Sequence, residues 1–319
     1  MTCILGAVKN LNAVYSSLAM RRRYEVWFLR LGLADGSGAW WFRYLLLNPG
    51  HSGCKDNPAG MPVQVWATWF PRGARPQSFI QGFSMEGLHL SERRAGPFFL
   101  EAGKNRIDDD SCSGSIESGG HRVEWQLNYR SDFGITLSNK GWIGFSRSPH
   151  FNAEFAGEIR FDGMRFTGSP LGFGVQGHNC GYRHRNQWTW THACFADPTT
   201  GITALEALVY EMPLGMRFRT AALWHQGRAY LFRKLSEHRR DPEGLRWEFE
   251  ARDRYGNQLF VQADGSGDSL HRLPYLKTDC SGNFTVANNS LAQACVKFRL
   301  DDSPGEFRTT SGAVLEMAG

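Results

Sequence analysis

His121-Arg122-Val123-Glu124-Trp125-Gln126-Leu127-Asn128-Tyr129-Arg130 is the stretch that decides the fold class. Val123, Trp125, Leu127 and Tyr129 recur at every second position, with charged or amide side chains between them. Successive side chains of a strand point to opposite faces, so this is a half-buried antiparallel strand with one wet face. The pattern returns at Leu245, Trp247, Phe249 and Ala251, opposed to Arg246, Glu248, Glu250 and Arg252. Turn signals fall between such runs, at Asp35-Gly36-Ser37-Gly38, Asn48-Pro49-Gly50, Asp162-Gly163 and Asp264-Gly265-Ser266-Gly267. No long capped amphipathic helix follows residue 24, and the chain reads as all-β.

The two alternating strands also resemble one another. Arg122-Val123-Glu124-Trp125, followed by Gly134, parallels Arg246-Trp247-Glu248-Phe249, followed by Gly256, at an offset of about 124 residues. That offset suits two similar domains of β-barrel size. Pro and Gly collect at Gly168-Ser169-Pro170, which places the boundary nearby. The expected organisation is an N-terminal extension over 1–23, a first domain over 24–172 and a second over 173–319. In the extension, Ile4, Val8, Leu11, Tyr15 and Leu18 share one helical face, predicting a short amphipathic helix that closes a barrel mouth or touches a membrane surface.

At 319 residues the chain has room for two domains. A hydrophobic content of 41% with 21% charged residues describes an ordinary soluble globular protein. Eleven tryptophans suit sheets around an apolar interior. The net charge of +5 is mild and its arginines are scattered, apart from Arg21-Arg22-Arg23, so nucleic acid is not an expected partner. Seven cysteines, at 3, 54, 112, 180, 194, 280 and 295, are odd in number and contain no CxxC pair. Reduced thiols in a cytoplasmic protein are the simpler reading. Residues 1–20 lack a signal-peptide pattern, and no run of about 18 apolar residues predicts a transmembrane helix.

The chemistry concentrates in Gly177-His178-Asn179-Cys180-Gly181-Tyr182-Arg183-His184 and the following Trp188-Thr189-Trp190-Thr191-His192. As a strand, Trp188, Trp190 and His192 share one face, an apolar wall carrying a titratable group. A nucleotide fingerprint is excluded: Gly172-Phe173-Gly174-Val175-Gln176-Gly177 fits GxGxxG, with Asp197 further on, but no helical period follows. Those glycines instead predict a bend or bulge. Metal is a rival, with His178, Cys180, His184, His192 and Cys194 as ligands, though their spacing matches no standard zinc pattern. Acid–base chemistry without a cofactor or metal fits better. A histidine among tryptophans has its charged form disfavoured by desolvation, and indole faces can stabilise a developing cation. His178 and His192 are the catalytic candidates, with Asn179 orienting. Glu25 beside Trp27, Glu206 in Ala204-Leu205-Glu206-Ala207-Leu208, and Arg43 in Trp40-Trp41-Phe42-Arg43-Tyr44 are polar groups on apolar strands. With Trp188, Trp190, Trp27 and Trp41 they complete the candidate binding set. No GxSxG elbow is present.

These residues carry a family likeness. Tyr24-Glu25-Val26-Trp27-Phe28, Trp40-Trp41-Phe42-Arg43-Tyr44 and Gln64-Val65-Trp66-Ala67 resemble the first strands of the two-domain lipocalin-like superfamily of carotenoid 1,2-hydratase, tocopherol cyclase and AttH-like proteins. Gly157-Glu158-Ile159-Arg160-Phe161-Asp162-Gly163, leading to the His-Asn-x-Gly segment and Trp188-Thr189-Trp190, is similar to the join between its domains. The resemblance implies two calycin-like β domains, an apolar cavity near their junction, and hydration, cyclisation or isomerisation of isoprenoid- or polyketide-like molecules. It carries His178, Trp188, Trp190 and His192 over as pocket lining; Cys180 departs from the aromatic residue common there. The leading expectation is a cofactor-independent enzyme on a hydrophobic small molecule, a monomer or homodimer. The alternative is a non-catalytic lipid or isoprenoid carrier.

Overall fold

A computed structural model describes residues 11–55, 57–93, 96–183, 187–197, 201–212 and 215–319. The first sheet is built from β1 (Tyr24–Leu33), β2 (Gly38–Leu47), β3 (Val63–Pro71), β4 (Gln77–Phe83), β5 (Leu88–Leu90), β6 (Phe99–Ala102), β7 (Asn105–Asp108), β8 (Ser111–Ser118), β9 (His121–Arg130), β10 (Ile135–Asn139), β11 (Gly144–Phe161) and β12 (Met164–Gly181). The second contains β13 (Trp188–Asp197), β14 (Gly201–Glu211), β15 (Arg217–His225), β16 (Arg228–Phe232), β17 (Lys234–Asp241), β18 (Arg246–Arg252), β19 (Gln258–Asp264), β20 (His271–Leu276), β21 (Asn283–Leu300) and β22 (Ser303–Ala318). Both are antiparallel, and each wraps around its own core. Among the described residues no helix is long and apolar enough to cross a membrane.

The two sheets have one topology. The first runs β4-β3-β2-β1-β12-β11-β9-β8-β7-β6-β5 with β10 beside β11; the second runs β16-β15-β14-β13-β22-β21-β19-β18-β17 with β20 beside β21. Thus β1 corresponds to β13, β2 to β14 and β12 to β22. The repeat is real, but the strands that suggested it are not equivalent: β9 answers to β19, not β18. Both merely have one buried face, which is enough to produce a shared pattern.

The change of sheet falls between Gly181 and Trp188, not at 172/173. Gly168-Ser169-Pro170 lies inside β12, which continues to pair with β1 through Tyr24↔Gly181. Here glycine serves close approach rather than a linker: a Cβ on Gly174 would sit 1.8 Å from the Arg30 carbonyl oxygen, and one on Gly172 2.0 Å from that of Gly32.

Burial separates two kinds of strand. β9 and β18 alternate, but β2 is buried at every position and β1 at nearly every one. Such strands are covered on both faces. Trp27, Leu29, Leu31, Trp40, Phe42 and Tyr44 fill the first barrel. Val26, Phe28, Trp41 and Val175 face the other way and pack against Trp190, Leu208, Tyr210 and Val314 of the second domain. A separate core around Leu205, Leu223, Trp247, Phe249 and Val261 fills the second barrel. Unbroken apolar runs therefore mark the junction between domains.

Two further ties cross that junction. Arg30 of β1 donates to the carbonyls of Ser290, Ser311, Gly312 and Ala313 in the second domain, at 2.5–3.2 Å. Cys54 and Cys280 form a disulfide between the loop after β2 and the turn after β20. This corrects the expectation of reduced thiols at those two positions: 226 residues separate them in sequence, and only the docking of the domains brings them together. Cys112, Cys180, Cys194 and Cys295 are free and buried; Cys3 lies outside the described residues.

The N-terminal helix is not found over residues 11–20. Asn12, Val14 and Ser16 are buried in alternation, the period of an extended segment. Ile4 and Val8 lie outside the described residues. The segment packs on the first barrel through the backbone of Leu11, Asn12, Tyr15 and Ser16, which meets His178, Trp27 and Glu25.

Candidate functional site

The residues singled out in the sequence divide into three places. In the first, Glu25 and His178 face the interior of the first barrel, because Trp27 and His178 are cross-strand partners on the face opposite to Val26. The His178 Nε2 is 2.9 Å from Glu25 Oε1, and its Nδ1 is 2.7 Å from the Leu11 carbonyl oxygen. The imidazole is thus held at both ring nitrogens, by a carboxyl on one side and a backbone carbonyl on the other. Burial alone would push the Glu25 carboxyl up. The bonds from His178 and the backbone N–H groups of Ser16 (2.6 Å) and Tyr15 (2.7 Å) hold it below the ordinary carboxylate range instead. Trp27 is stacked between His178 and Phe98, centroids 4.6 and 4.7 Å away, and donates to the Asn12 carbonyl. Every polar atom of this dyad is engaged, and residues 11–16 cover it. Glu25, Trp27 and His178 form one buried network of hydrogen bonds and stacked rings.

The second place is the packed zone around His192 and Glu206, which are cross-strand partners in β13 and β14. His192 donates through Nε2 to the Phe151 carbonyl at 2.8 Å. Burial, reinforced by the Arg30 charge, pushes its pKa down to about 3, so the ring is neutral at any ordinary pH. Glu206 is pushed up to about 7 by burial, while bonds from Ser148 Oγ (2.6 Å) and Trp190 Nε1 (2.7 Å) oppose the rise. It holds Trp190 from behind. Among the described residues, the potential metal ligands His178, Cys180, His192 and Cys194 form no metal-binding group. His178 and Cys180 belong to the first sheet, His192 and Cys194 to the second, and His184 is outside the described residues.

Glu206 has a measurable consequence for stability. Its pKa is higher in the folded chain (about 7) than its ordinary 4.5, so folding favours the protonated form. This contribution is full below about pH 4.5 and is lost as pH rises through 7. Glu206→Gln should therefore gain stability relative to wild type across that interval, by on the order of 2–3 kcal/mol. Chemical denaturation of both proteins at pH 5 and 8 checks it; an unchanged difference would refute the shift.

The third place is a cavity of about 140 Å³ between the domains. Tyr24, Val26, Phe28, Trp41, Arg43, Asn179 and Cys180 supply one wall, and Trp188, Trp190, Leu208, Tyr210, Tyr275 and Glu316 the other. A dry space of this size accepts a ring such as benzene. Its floor is aromatic: Trp190 meets Phe28 at 5.6 Å and Trp41 at 6.1 Å. Of the expected binding set, Trp41, Arg43, Asn179, Trp188 and Trp190 line it. Trp27, Glu25, His178, His192 and Glu206 do not.

Glu316 is the carboxyl that sequence reasoning missed. It sits on β22 as the cross-strand partner of Trp190, the position that Asn179 holds on β12 opposite Val26. The duplicated topology thus places one polar side chain from each domain at equivalent points of the same cavity. Glu316 accepts from Trp188 Nε1 at 3.0 Å and Asn288 Nδ2 at 3.2 Å. Burial pushes it up to about 7, against the opposing influences of Arg43 and the Trp188 bond. A carboxyl poised near neutrality in an aromatic cleft can give or take a proton at working pH. Cys180, whose thiol burial pushes up to about 12, turns its sulfur away to Arg23 Nε at 3.1 Å and the Ser16 hydroxyl, on the Glu25 side of the strand.

No family model and no curated protein matches the chain. Solved structures do match, among them the following two. An AttH-like protein from Nitrosomonas europaea is 14% identical over 96% of this chain and 94% of its own, with a TM-score of 0.56. Kievitone hydratase from Nectria haematococca is 10% identical over 97% and 94%, with a TM-score of 0.54. The chain accordingly has the all-β fold of these two proteins, a tandem pair of lipocalin-like domains.

Proposed function

We propose that this chain is an enzyme that carries out a proton-triggered reaction, hydration, cyclisation or isomerisation, on a hydrophobic conjugated molecule held between its two domains. The observation that carries this reading is the Glu316 carboxyl, near-neutral in pKa and set among aromatic rings in the junction cavity. Protonated Glu316 donates its proton to an alkene carbon, the Trp188, Trp190, Trp41 and Tyr275 rings stabilise positive charge as it develops, and the carboxylate is reprotonated by the water that adds to the cation, or, in cyclisation and isomerisation, by the neighbouring C–H that is lost. In this reading the acid–base duty expected of His178 and His192 falls to Glu316, and Asn179, expected to orient a histidine, instead lines the cavity. Kievitone hydratase, with the same fold, is a hydratase by name, which agrees with a chemistry of this kind.

The carrier alternative separates cleanly. Both barrel interiors are packed with side chains, so a carrier would use the same junction cavity but leave its cargo unchanged. Small-molecule extract of the source cells, incubated with the protein and followed by mass spectrometry, distinguishes the two. The expected result is a species that gains one water or is converted to an isomer of equal mass. A ligand that is bound and always recovered intact identifies a carrier. If Glu316 acts as the acid, the rate also falls as pH rises above about 7, where the carboxyl ionises. A rate that rises through that region assigns it the role of base.

A further inference from the structure

The junction cavity holds more positive charge than its carboxyl balances. Arg43, Lys140 and Arg183 line it, with Glu316 as the single acidic lining residue among those described. Arg43 is 7% exposed, and its guanidinium lies over the rings of Trp66 and Tyr275, at 4.8 and 4.3 Å from their centroids. Stacking of this kind occupies the faces of the guanidinium and leaves its edge free to donate. At that edge Nη1 is buried and has no hydrogen-bond partner. Oδ1 of Asn179, on the same cavity, is buried and lacks a donor. A buried polar atom left unpaired costs about 1–3 kcal/mol, and both of these belong to residues that line this cavity.

We infer that the molecule taken up here is a conjugated acid, whose oxyanion is received edge-on by Nη1 of Arg43 while a donor group of the same molecule serves Asn179. The inference rests on reading the junction cavity as the substrate site and adds the chemical class of what enters it. Aromatic walls select a flat apolar body; the fixed guanidinium selects the anionic oxygen at its end. A protonated Glu316 leaves the Arg43 charge unneutralised and available. Lys140 and Arg183 sit toward the exposed edge, where they draw anions inward without fixing them.

Benzoate and benzamide, which match in shape and differ in charge, are suitable probes for a cavity of this size. Their dissociation constants are measured at pH 6 by tryptophan fluorescence and calorimetry. The expected result is at least tenfold tighter binding of benzoate to the wild-type protein. Arg43→Leu should abolish that preference while still binding benzamide, and Arg43→Lys should retain part of it. Equal affinities in the wild type overturn the inference and leave the cavity reading standing. Persistence of the preference in Arg43→Leu overturns it too, because the rim cations are then responsible. Failure of both probes to bind, or binding undisturbed by Trp190→Ala, rejects the cavity reading itself. The wild-type comparison decides the matter even if the leucine variant does not fold.

Discussion

Glu316→Gln lowers turnover by about 10²- to 10⁴-fold, the usual worth of a positioned acid or base, with the fold unchanged. Glutamine keeps the volume of the side chain and an acceptor for the Trp188 indole N–H, so circular dichroism and the unfolding midpoint stay close to wild type. Only the transferable proton is removed. The comparison is sharpened by His178→Ala, which loosens the covered network in the first barrel. That variant should lose stability, because Glu25 is left buried without its imidazole partner, yet whatever fraction remains folded should turn over normally. Full activity in Glu316→Gln, or loss of chemistry without loss of fold in His178→Ala, would return the acid–base role to the histidine.

Arg30→Met is the substitution expected to cost most in stability, about 3–5 kcal/mol, with a fall in the unfolding midpoint on the order of 10 °C. The reason lies in the partner strands. Pairing between β21 and β22 slips between Asn289 and Ala292 and again before Ala294, where the ladder is interrupted. Four carbonyls around that irregularity, from Ser290, Ser311, Gly312 and Ala313, turn instead to the Arg30 guanidinium. Burial pushes the Arg30 pKa down to about 10, still well above neutrality, so it remains a cation there. Methionine fills the space but leaves these acceptors to dry protein. Differential scanning calorimetry checks the prediction. A midpoint within a degree or two of wild type would show that the carbonyls find other donors.

The fold was legible because its signals are local. Alternation at 121–130 and 246–252 needs only the pleat of a strand, and it was read correctly in both places. The apolar runs at Trp40-Trp41-Phe42 and Ala204-Leu205-Glu206-Ala207-Leu208 carried more than was drawn from them. A strand buried on both faces inside a two-barrel protein has to lie at the junction. The candidate site was legible in part for a related reason. A lone carboxylate on an apolar strand picked out Glu25 and Glu206, and Val314-Leu315-Glu316-Met317 presents the same signal. What the sequence withholds is which way each one faces: register alone sends Glu25 into a barrel, Glu206 behind an indole and Glu316 into the cavity. The disulfide and the extended course of residues 11–17 depend on contacts between distant segments, and no spacing rule encodes them.

The position of Glu316 on β22 has a consequence for the order in which the protein becomes competent. Synthesis proceeds from the N-terminus, and β22 is made after every other strand described. Until it emerges, β13 has one open edge and β12 already has both neighbours. The first barrel can therefore close early, with Arg43 and Asn179 in place, while the second waits. Glu316 arrives with the strand that closes the second sheet, so the cavity wall carrying Arg43 and Asn179 is made before the wall carrying Glu316.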